Sequence, residues 1–241
     1  MKVGVYVDGY NLYYAARRSC GRGTPGWRWL NIRSLAESLI AEQPAWQGST
    51  IEKVVYCTAR ISARTNPSGH ADQDAYINAL TRSKSVTAVE FGNYVARVKQ
   101  APLAVKDAND RPVVYTSQWP IMVQSSLGAA VRNAVFMVSY LHNEEKGSDV
   151  NVATHLLVDV LEKNVDAAIV ISNDSDLKLP LKQAWARVPT AVVNPGNGFT
   201  ALNGSPAAGP GGHWWRSLTA QDFKRNQLPD PAGGVRRPVG W

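Results

Sequence analysis

The sequence has few of the residues that build several common kinds of site. Its 241 residues include two cysteines, three methionines and four histidines. Two cysteines, Cys20 and Cys57, cannot form a disulfide framework or a four-cysteine zinc site. The histidines do not cluster along the chain, which leaves a zinc site and a two-histidine ribonuclease mechanism unsupported. They stand at His70, His142, His155 and His213.

Long apolar stretches are missing as well. No run approaches the roughly 20 apolar residues that a membrane-spanning helix needs. The apolar run at the N-terminus is short and ends at Asp8, so the sequence predicts no signal peptide. We therefore expect a cytoplasmic protein with no membrane partner.

Two nucleotide-binding motifs and one phosphatase feature are absent. There is no Gly-x-x-x-x-Gly-Lys-Ser/Thr segment for nucleotide phosphates. No Gly-x-Gly-x-x-Gly follows the first apolar run, which argues against a dinucleotide site. Tyr10 stands two positions after Asp8, where an aspartyl-phosphate phosphatase would need a second aspartate, so that class is disfavoured.

The chain carries an excess of positive charge. Lysine and arginine total 26 against 19 acidic residues, a formal net charge of +7, and 44% of the residues are hydrophobic. That hydrophobic content is typical of a globular protein. Basic proteins attract polyanions, so nucleic acid becomes a candidate partner, although charge alone leaves open that the protein binds nothing acidic.

Strand and helix signals alternate along the chain, which predicts the α/β class. Val3 to Val7 and Ala168 to Ile171 are short, β-branched and uncharged, a pattern typical of buried parallel strands. We predict one domain over residues 1–197. Residues 96–141 are expected to form an inserted hairpin or lid, or a plain surface excursion. Residues 198–241 are predicted to be a Gly/Pro-rich C-terminal extension with one docked helix and a mobile end.

Four aspartates stand at predicted strand or helix ends. Asp8, Asp174 and Asp176 follow the two buried strands, and Asp149 opens a helix. Ligands of open α/β sheets bind beyond the carboxyl ends of the strands, so these side chains are expected to converge. Converging carboxylates repel one another, and Mg²⁺ or Mn²⁺ is the simplest compensation. Taken alone, Asp8 and Asp149 could each be only a helix cap, whereas a cap needs one of Asp174 and Asp176 and not both.

Three segments together carry a resemblance to a known family. Val7 to Leu12, Lys146 to Val150 and Val170 to Leu177, in this order, resemble the NYN domain of the PIN-like nuclease superfamily. The resemblance covers roughly residues 1–195. It implies a three-layer α/β/α fold with a mainly parallel central sheet, and a Mg²⁺- or Mn²⁺-dependent ribonuclease.

The resemblance also implies which residues form the site. The expected catalytic set is Asp8, Asn11, Asp149, Asp174 and Asp176, and its four aspartates are the expected metal ligands. Ser172 and Asn173 are expected to support them. The implied reaction is hydrolysis of the phosphodiester by a metal-bound water, which needs no side-chain nucleophile.

RNA, in single-stranded form, is the expected partner. Basic side chains near predicted strand ends are the candidates for phosphate contacts, namely Arg17, Arg18, Arg60, Arg64 and Lys146. Trp27, Trp29, Tyr13 and Tyr14 could stack on bases, but packing is the more common role of such side chains. Two other functions stay open at this point. One is an RNA-binding or scaffold module that does not cleave, and the other is a metal-dependent phosphatase acting on small esters.

Overall fold

The structure is a computed structural model, and it describes residues 1–196, 202 and 204–241. This part of the chain contains nine strands and six α-helices. The strands are β1 (Lys2–Asp8), β2 (Thr50–Ala59), β3 (Ala88–Pro102), β4 (Ala104–Lys106), β5 (Pro112–Val114), β6 (Met137–Lys146), β7 (Ala167–Ile171), β8 (Thr190–Asn194) and β9 (Trp214–Ser217). The helices are α1 (Gly9–Cys20), α2 (Ile32–Ala41), α3 (Pro67–Arg82), α4 (Ser148–Leu161), α5 (Lys178–Trp185) and α6 (Ala220–Arg225).

Seven strands form one mainly parallel sheet in the order β6-β3-β2-β1-β7-β8-β9. The pairs β1–β2, β1–β7, β2–β3, β7–β8 and β8–β9 are all parallel. The predicted α/β class and mainly parallel sheet are confirmed. The carboxyl ends of these parallel strands therefore share one edge, which we call the carboxyl edge.

The central strand β1 is buried on both faces, because its side chains alternate between two hydrophobic cores. Val3, Val5 and Val7 belong to a core that also holds buried residues of α1, α2, α3 and α6. Tyr6 points into the second core, together with buried residues of α4 and α5. Helices on both sides of a sheet are compatible with a three-layer α/β fold.

The chain divides into two compact units. The first consists of residues 1–94 and 145–241 and contains the two cores. The second consists of residues 95–144, and the predicted insert at 96–141 falls inside it. This second unit includes the antiparallel pair of β4 and β5 and an ion pair between Lys99 and Glu144 at 3.2 Å.

The C-terminal region adds elements to the first unit. Strand β9 extends the sheet, and α6 falls within the extension 198–241, where one docked helix is predicted. The predicted boundary at 197/198 lies outside the described residues. The end of the chain differs from the prediction of a mobile tail, since the Trp241 ring packs against Trp29 and Tyr76, with centroids 6.2 and 5.9 Å apart.

None of the helices in the described residues combines the length and the apolar character needed to cross a bilayer.

Candidate functional site at the carboxyl edge of the sheet

Asp8 lies at the centre of the carboxyl edge. It is the last residue of β1 and the N-cap of α1, and only 5% of it is exposed. Its Oδ1 accepts the backbone N–H of Asn11 at 3.0 Å, and its Oδ2 accepts the hydroxyl of Ser172 at 3.1 Å. The next residue must be small, because a Cβ on Gly9 would lie 2.6 Å from the ring of Tyr56. The strand-to-helix turn thus holds the Asp8 carboxylate in one position.

Burial raises the pKa of Asp8 to about 6, well above the usual range of an aspartate. The two hydrogen bonds act in the opposite direction, because they stabilise the ionised form. The negative charges of Asp174 and Glu145 raise the pKa further. A buried carboxyl that titrates near neutral pH can accept and release a proton under ordinary conditions.

The segment that follows β7 is tied to Asp8 by a chain of hydrogen bonds. The Ser172 hydroxyl, which donates to Asp8, accepts the backbone N–H of Asp174 at 3.1 Å. The backbone N–H of Asn173 donates to the Asn11 side-chain oxygen at 3.1 Å. Both segments of the predicted site are therefore held against each other, and Asn11, Ser172 and Asn173 do this through their polar groups.

The other two predicted aspartates have different surroundings. Asp176 is exposed, and its backbone N–H donates to Asp174 Oδ1 at 3.0 Å at the start of a short 3₁₀ turn. Asp149 lies in the first turn of α4 and is partly exposed. Within the described chain, no hydrogen bond or ion pair connects Asp149 with Asp8. The structure thus brings Asp8 and Asp174 together more closely than it does the full set of four.

Glu145 is a site residue that sequence reasoning missed. It lies near the end of β6, and its Oε1 accepts the backbone N–H of Ser148 at 3.0 Å. That bond caps α4 and aims the carboxylate at Gly92, where a Cβ would lie 2.9 Å from Glu145 Oε1. The sequence did contain a signal for this role. Glu145 lies three residues before Ser148, and a polar side chain at that spacing can accept a backbone N–H at the start of a helix.

Tyrosine side chains stand beside this acidic group. Tyr10 and Tyr14 lie one helical turn apart on α1, with ring centroids separated by 6.1 Å. The Tyr10 hydroxyl donates to the Ala59 carbonyl at 3.3 Å, and burial raises its pKa, with smaller contributions from Tyr94, Tyr14 and Glu145. Tyr94 in β3 was also missed. The edge therefore presents tyrosine rings near Glu145, and the buried Tyr56 ring lies near Asp8.

The predicted RNA-contacting residues fall at different places. Arg60 and Arg64 follow β2 and are exposed at the carboxyl edge, where Arg60 pairs with Asp74 and lies 4.5 Å above the ring of Phe91. Lys146 is exposed beside Glu145. Arg17 and Arg18 stand in the last turn of α1, roughly 14 Å along the helix axis from Asp8.

The aromatic candidates for base stacking also divide. Trp27 and Trp29 are 2% and 0% exposed, so both are packed inside the first unit and cannot receive a base. Tyr13 and Tyr14 are exposed, and their rings meet edge to face at 5.4 Å. Of these four side chains, only the two tyrosines offer a surface to a planar ligand.

The acidic side chains at the carboxyl edge take part in hydrogen bonds with the backbone and with Ser172. In the ranges that the structure covers, no group of three or more His, Cys, Asp or Glu side chains is placed to hold a metal ion. Both oxygens of Asp8 already accept hydrogen bonds, and one oxygen of Asp174 accepts the Asp176 N–H. These interactions use the carboxylates to join chain segments.

Comparison with known proteins gives one named relative. The chain is 26% identical over 263 residues to a 6-hydroxy-3-succinoylpyridine 3-monooxygenase of Pseudomonas putida, with 100% of this chain and 75% of the relative covered. No protein-family model matches the chain. Among solved structures, it is similar to a Vibrio parahaemolyticus protein of unknown function. That match has a TM-score of 0.45 and 15% identity, and covers 92% of this chain and 94% of the other.

These findings correct the predicted function. The prediction of a metal-dependent ribonuclease, a hydrolase of phosphodiester bonds, is wrong, because the named relative is a monooxygenase and therefore points to an oxidoreductase. The prediction of Mg²⁺ or Mn²⁺ as cofactor is wrong for the same reason. Physically, like charges can meet without a cation when one of them is protonated, and Asp8 titrates close to neutral pH.

Proposed function

We propose that this protein is an oxidoreductase that hydroxylates a small hydroxylated N-heteroaromatic compound at the carboxyl edge, with Asp8 as proton acceptor. The observation that carries the proposal is the buried Asp8 carboxyl, which has a pKa of about 6 and lies near the ring of Tyr56. The named relative supports the reaction class, since its name describes oxygenation of a hydroxypyridine.

The chemistry of hydroxypyridines explains why such a carboxyl would be useful. Transfer of the ring hydroxyl's proton to Asp8 leaves negative charge that delocalises into the ring and makes a ring carbon more reactive toward electrophilic oxygen. A base works best when its pKa lies near the working pH, as that of Asp8 does. The exposed ring of Tyr14 provides a face on which a planar heterocycle can stack.

The overall reaction must balance in atoms and electrons. On a simple hydroxypyridine, a ring C–H, one O₂, two protons and two electrons give a ring C–OH and one water. On 6-hydroxy-3-succinoylpyridine, position 3 carries the acyl group, so oxygenation there breaks the ring carbon–acyl bond, and one O₂, two protons and two electrons give a ring C–OH and the acyl group as a carboxylic acid. A reduced nicotinamide or flavin is the class of donor that supplies the electrons. The first strand-to-helix turn does not fit a resident dinucleotide, since the Asp8 carboxylate occupies the α1 N-terminus that would bind a pyrophosphate. The electron donor therefore binds and leaves in each turnover as a co-substrate.

The proposal also includes a more specific fold, the PIN-like fold. A PIN-like fold is supported by the parallel order β3-β2-β1-β7-β8 and by the hydrogen bonds that join Asp8 and Asn11 to Ser172 and Asn173. The nuclease activity that accompanies this fold in the resembling family is not carried over. An RNA partner stays a prediction, and its support is the net charge of +7 and the exposure of Arg60 and Arg64.

A turnover assay with matched variants tests the proposal. Wild-type protein is mixed with 6-hydroxy-3-succinoylpyridine or a simple hydroxypyridine, O₂, and either NADH or reduced flavin, while O₂ uptake and product are followed. We expect turnover, and a loss of roughly 10²- to 10⁴-fold in Asp8→Asn, because the proton acceptor is removed. Asp166→Asn, at the opposite edge of the sheet, is the control and should retain activity. No turnover with either donor, or an unaffected Asp8→Asn, would overturn the proposal.

A further inference from the structure

The second unit, residues 95–144, which we call the arm, has almost no core of its own. Tyr115 is the one large hydrophobic side chain of the arm found among the buried residues of the described chain. By contrast, fourteen of the 23 exposed large hydrophobic side chains in those residues belong to the arm. The most exposed are Leu127 at 93%, Trp119 at 81% and Val98 at 73%. The arm therefore presents its apolar side chains outward.

Such a unit is not expected to hold its shape in water by itself. A fifty-residue segment without a core cannot offset the entropy of ordering its backbone, and isolated two-stranded hairpins are at best marginally stable. Apolar surface of this extent on a soluble protein usually marks an interaction site. Something must cover the arm when the protein is fully assembled.

The balance of apolar and charged side chains in the arm indicates what kind of partner covers it. Five basic and three acidic residues give the 50 residues of the arm a net charge of +2, and the other 191 residues carry +5, so the arm is no less basic per residue than the rest of the chain. Two of the acidic residues form ion pairs inside the arm, Lys99 with Glu144 at 3.2 Å and Lys106 with Asp110 at 2.5 Å. The fourteen exposed apolar side chains outnumber the five basic ones, whereas RNA and anionic membranes are bound mainly through basic side chains. Another apolar surface is the better-suited partner.

The strands of the arm also favour self-association. β4 and β5 form a two-stranded antiparallel sheet, which leaves an outer edge on each strand within the described residues. An open edge can pair with the identical edge of another copy about a two-fold axis. The fourteen exposed side chains present on the order of 1,000 Å² of apolar surface in total, and since successive residues of a strand point to opposite faces, about half of it lies on one face, which is the size of a small interface.

We propose that the arm is a dimerisation surface and that its occupant is the arm of a second copy of this chain. The apolar side chains of the two arms cover one another, with Trp119 and Leu127 as anchors, because large and highly exposed side chains contribute most when they become buried. The first unit keeps its own two cores in both copies.

Sedimentation velocity over a concentration series, with the full-length chain, tests this inference. We expect a species of twice 26.2 kDa at micromolar concentration, with an absorbance ratio that shows no bound nucleic acid. Trp119→Glu and Leu127→Glu should each weaken the dimer by at least roughly tenfold, because each places a charge in the apolar contact. Leu161→Glu, at the end of α4, is the matched control, since Leu161 is 57% exposed but lies outside the arm. Circular dichroism confirms that each variant is folded.

Four results would overturn the inference. A wild-type protein that stays monomeric at 100 µM would show that the arm does not self-associate. A dimer that both arm variants leave intact would place the interface elsewhere. Flotation of the monomer with neutral or anionic vesicles would identify a lipid surface as the occupant. Loss of the dimer after ribonuclease treatment would identify RNA.

Discussion

At the scale of single residues, Asp8 determines what the site can do. It is buried at the end of a strand, yet it keeps two hydrogen-bond donors, the Asn11 N–H and the Ser172 hydroxyl. Burial without these donors would suppress ionisation, and the donors without burial would lower the pKa below its usual range. Their combination leaves the pKa at about 6, which suits proton transfer near neutral pH.

The raised pKa predicts how stability depends on pH. Because the folded pKa of about 6 exceeds the ordinary value of 3.8, the folded state binds the Asp8 proton more tightly. The stability that this adds is fully present below pH 3.8 and is lost as pH rises through about 6, and it amounts to about 3 kcal/mol at most. Asp8→Asn removes this dependence. Its melting temperature should therefore rise relative to wild type between pH 4 and pH 8.

Thermal melts at several pH values check this expectation, with Asp166→Asn as control for the loss of one negative charge. A melting-temperature difference between Asp8→Asn and wild type that stays constant over this range, or falls, would contradict the assigned pKa. The absolute difference is less informative, because the asparagine also loses part of the hydrogen bonding to Asn11 and Ser172.

At the scale of elements, the buried strands and helix caps could be predicted from the sequence. The sequence predicts β1 and β7 as short β-branched runs, and Asn31 is a residue type that favours the N-cap position it occupies at α2, where its side chain accepts the Ser34 N–H at 3.1 Å. Strand β9 could not be predicted, because its four residues, with Trp214 and Trp215 followed by Arg216, give no clear alternation. It becomes a strand by pairing with β8.

The candidate site, too, could be predicted only in part from the sequence. The ends of β1 and β7 come together because parallel neighbours share an edge, and that much follows from the sequence pattern. Glu145 and Tyr94 reach the site through β6 and β3, whose neighbouring positions depend on tertiary pairing. The chemistry was beyond the sequence pattern, because a carboxylate cluster is equally consistent with a metal site and with a single protonated carboxyl.

The packed C-terminal segment gives a prediction at this scale. Trp241 contacts Trp29 and Tyr76, so Trp241→Ala should lower the free energy of unfolding by about 1–3 kcal/mol. Val239→Ala is the control and should have little effect, because Val239 is fully exposed. Urea denaturation measures both. Equal stabilities for the two variants would show that the Trp241 contact contributes nothing.

At the scale of the whole molecule, the two units have separate assignments. The first unit carries the buried carboxyl and the tyrosines, and the arm carries the exposed apolar surface. The proposed reaction depends on the first unit, and the proposed dimer depends on the arm. Arm variants that become monomeric but still turn over substrate would therefore leave the assignment of Asp8 intact.

The central claim is that the carboxyl edge inserts oxygen from O₂ into a heteroaromatic ring. Turnover of 6-hydroxy-3-succinoylpyridine or a simple hydroxypyridine under ¹⁸O₂ in ordinary water, with mass spectrometry of the product, tests it most directly. We predict one ¹⁸O atom in each hydroxylated product from the wild-type protein, and almost no product from Asp8→Asn. Product that carries oxygen from water alone, or the absence of any hydroxylated product with both electron donors, would contradict the claim.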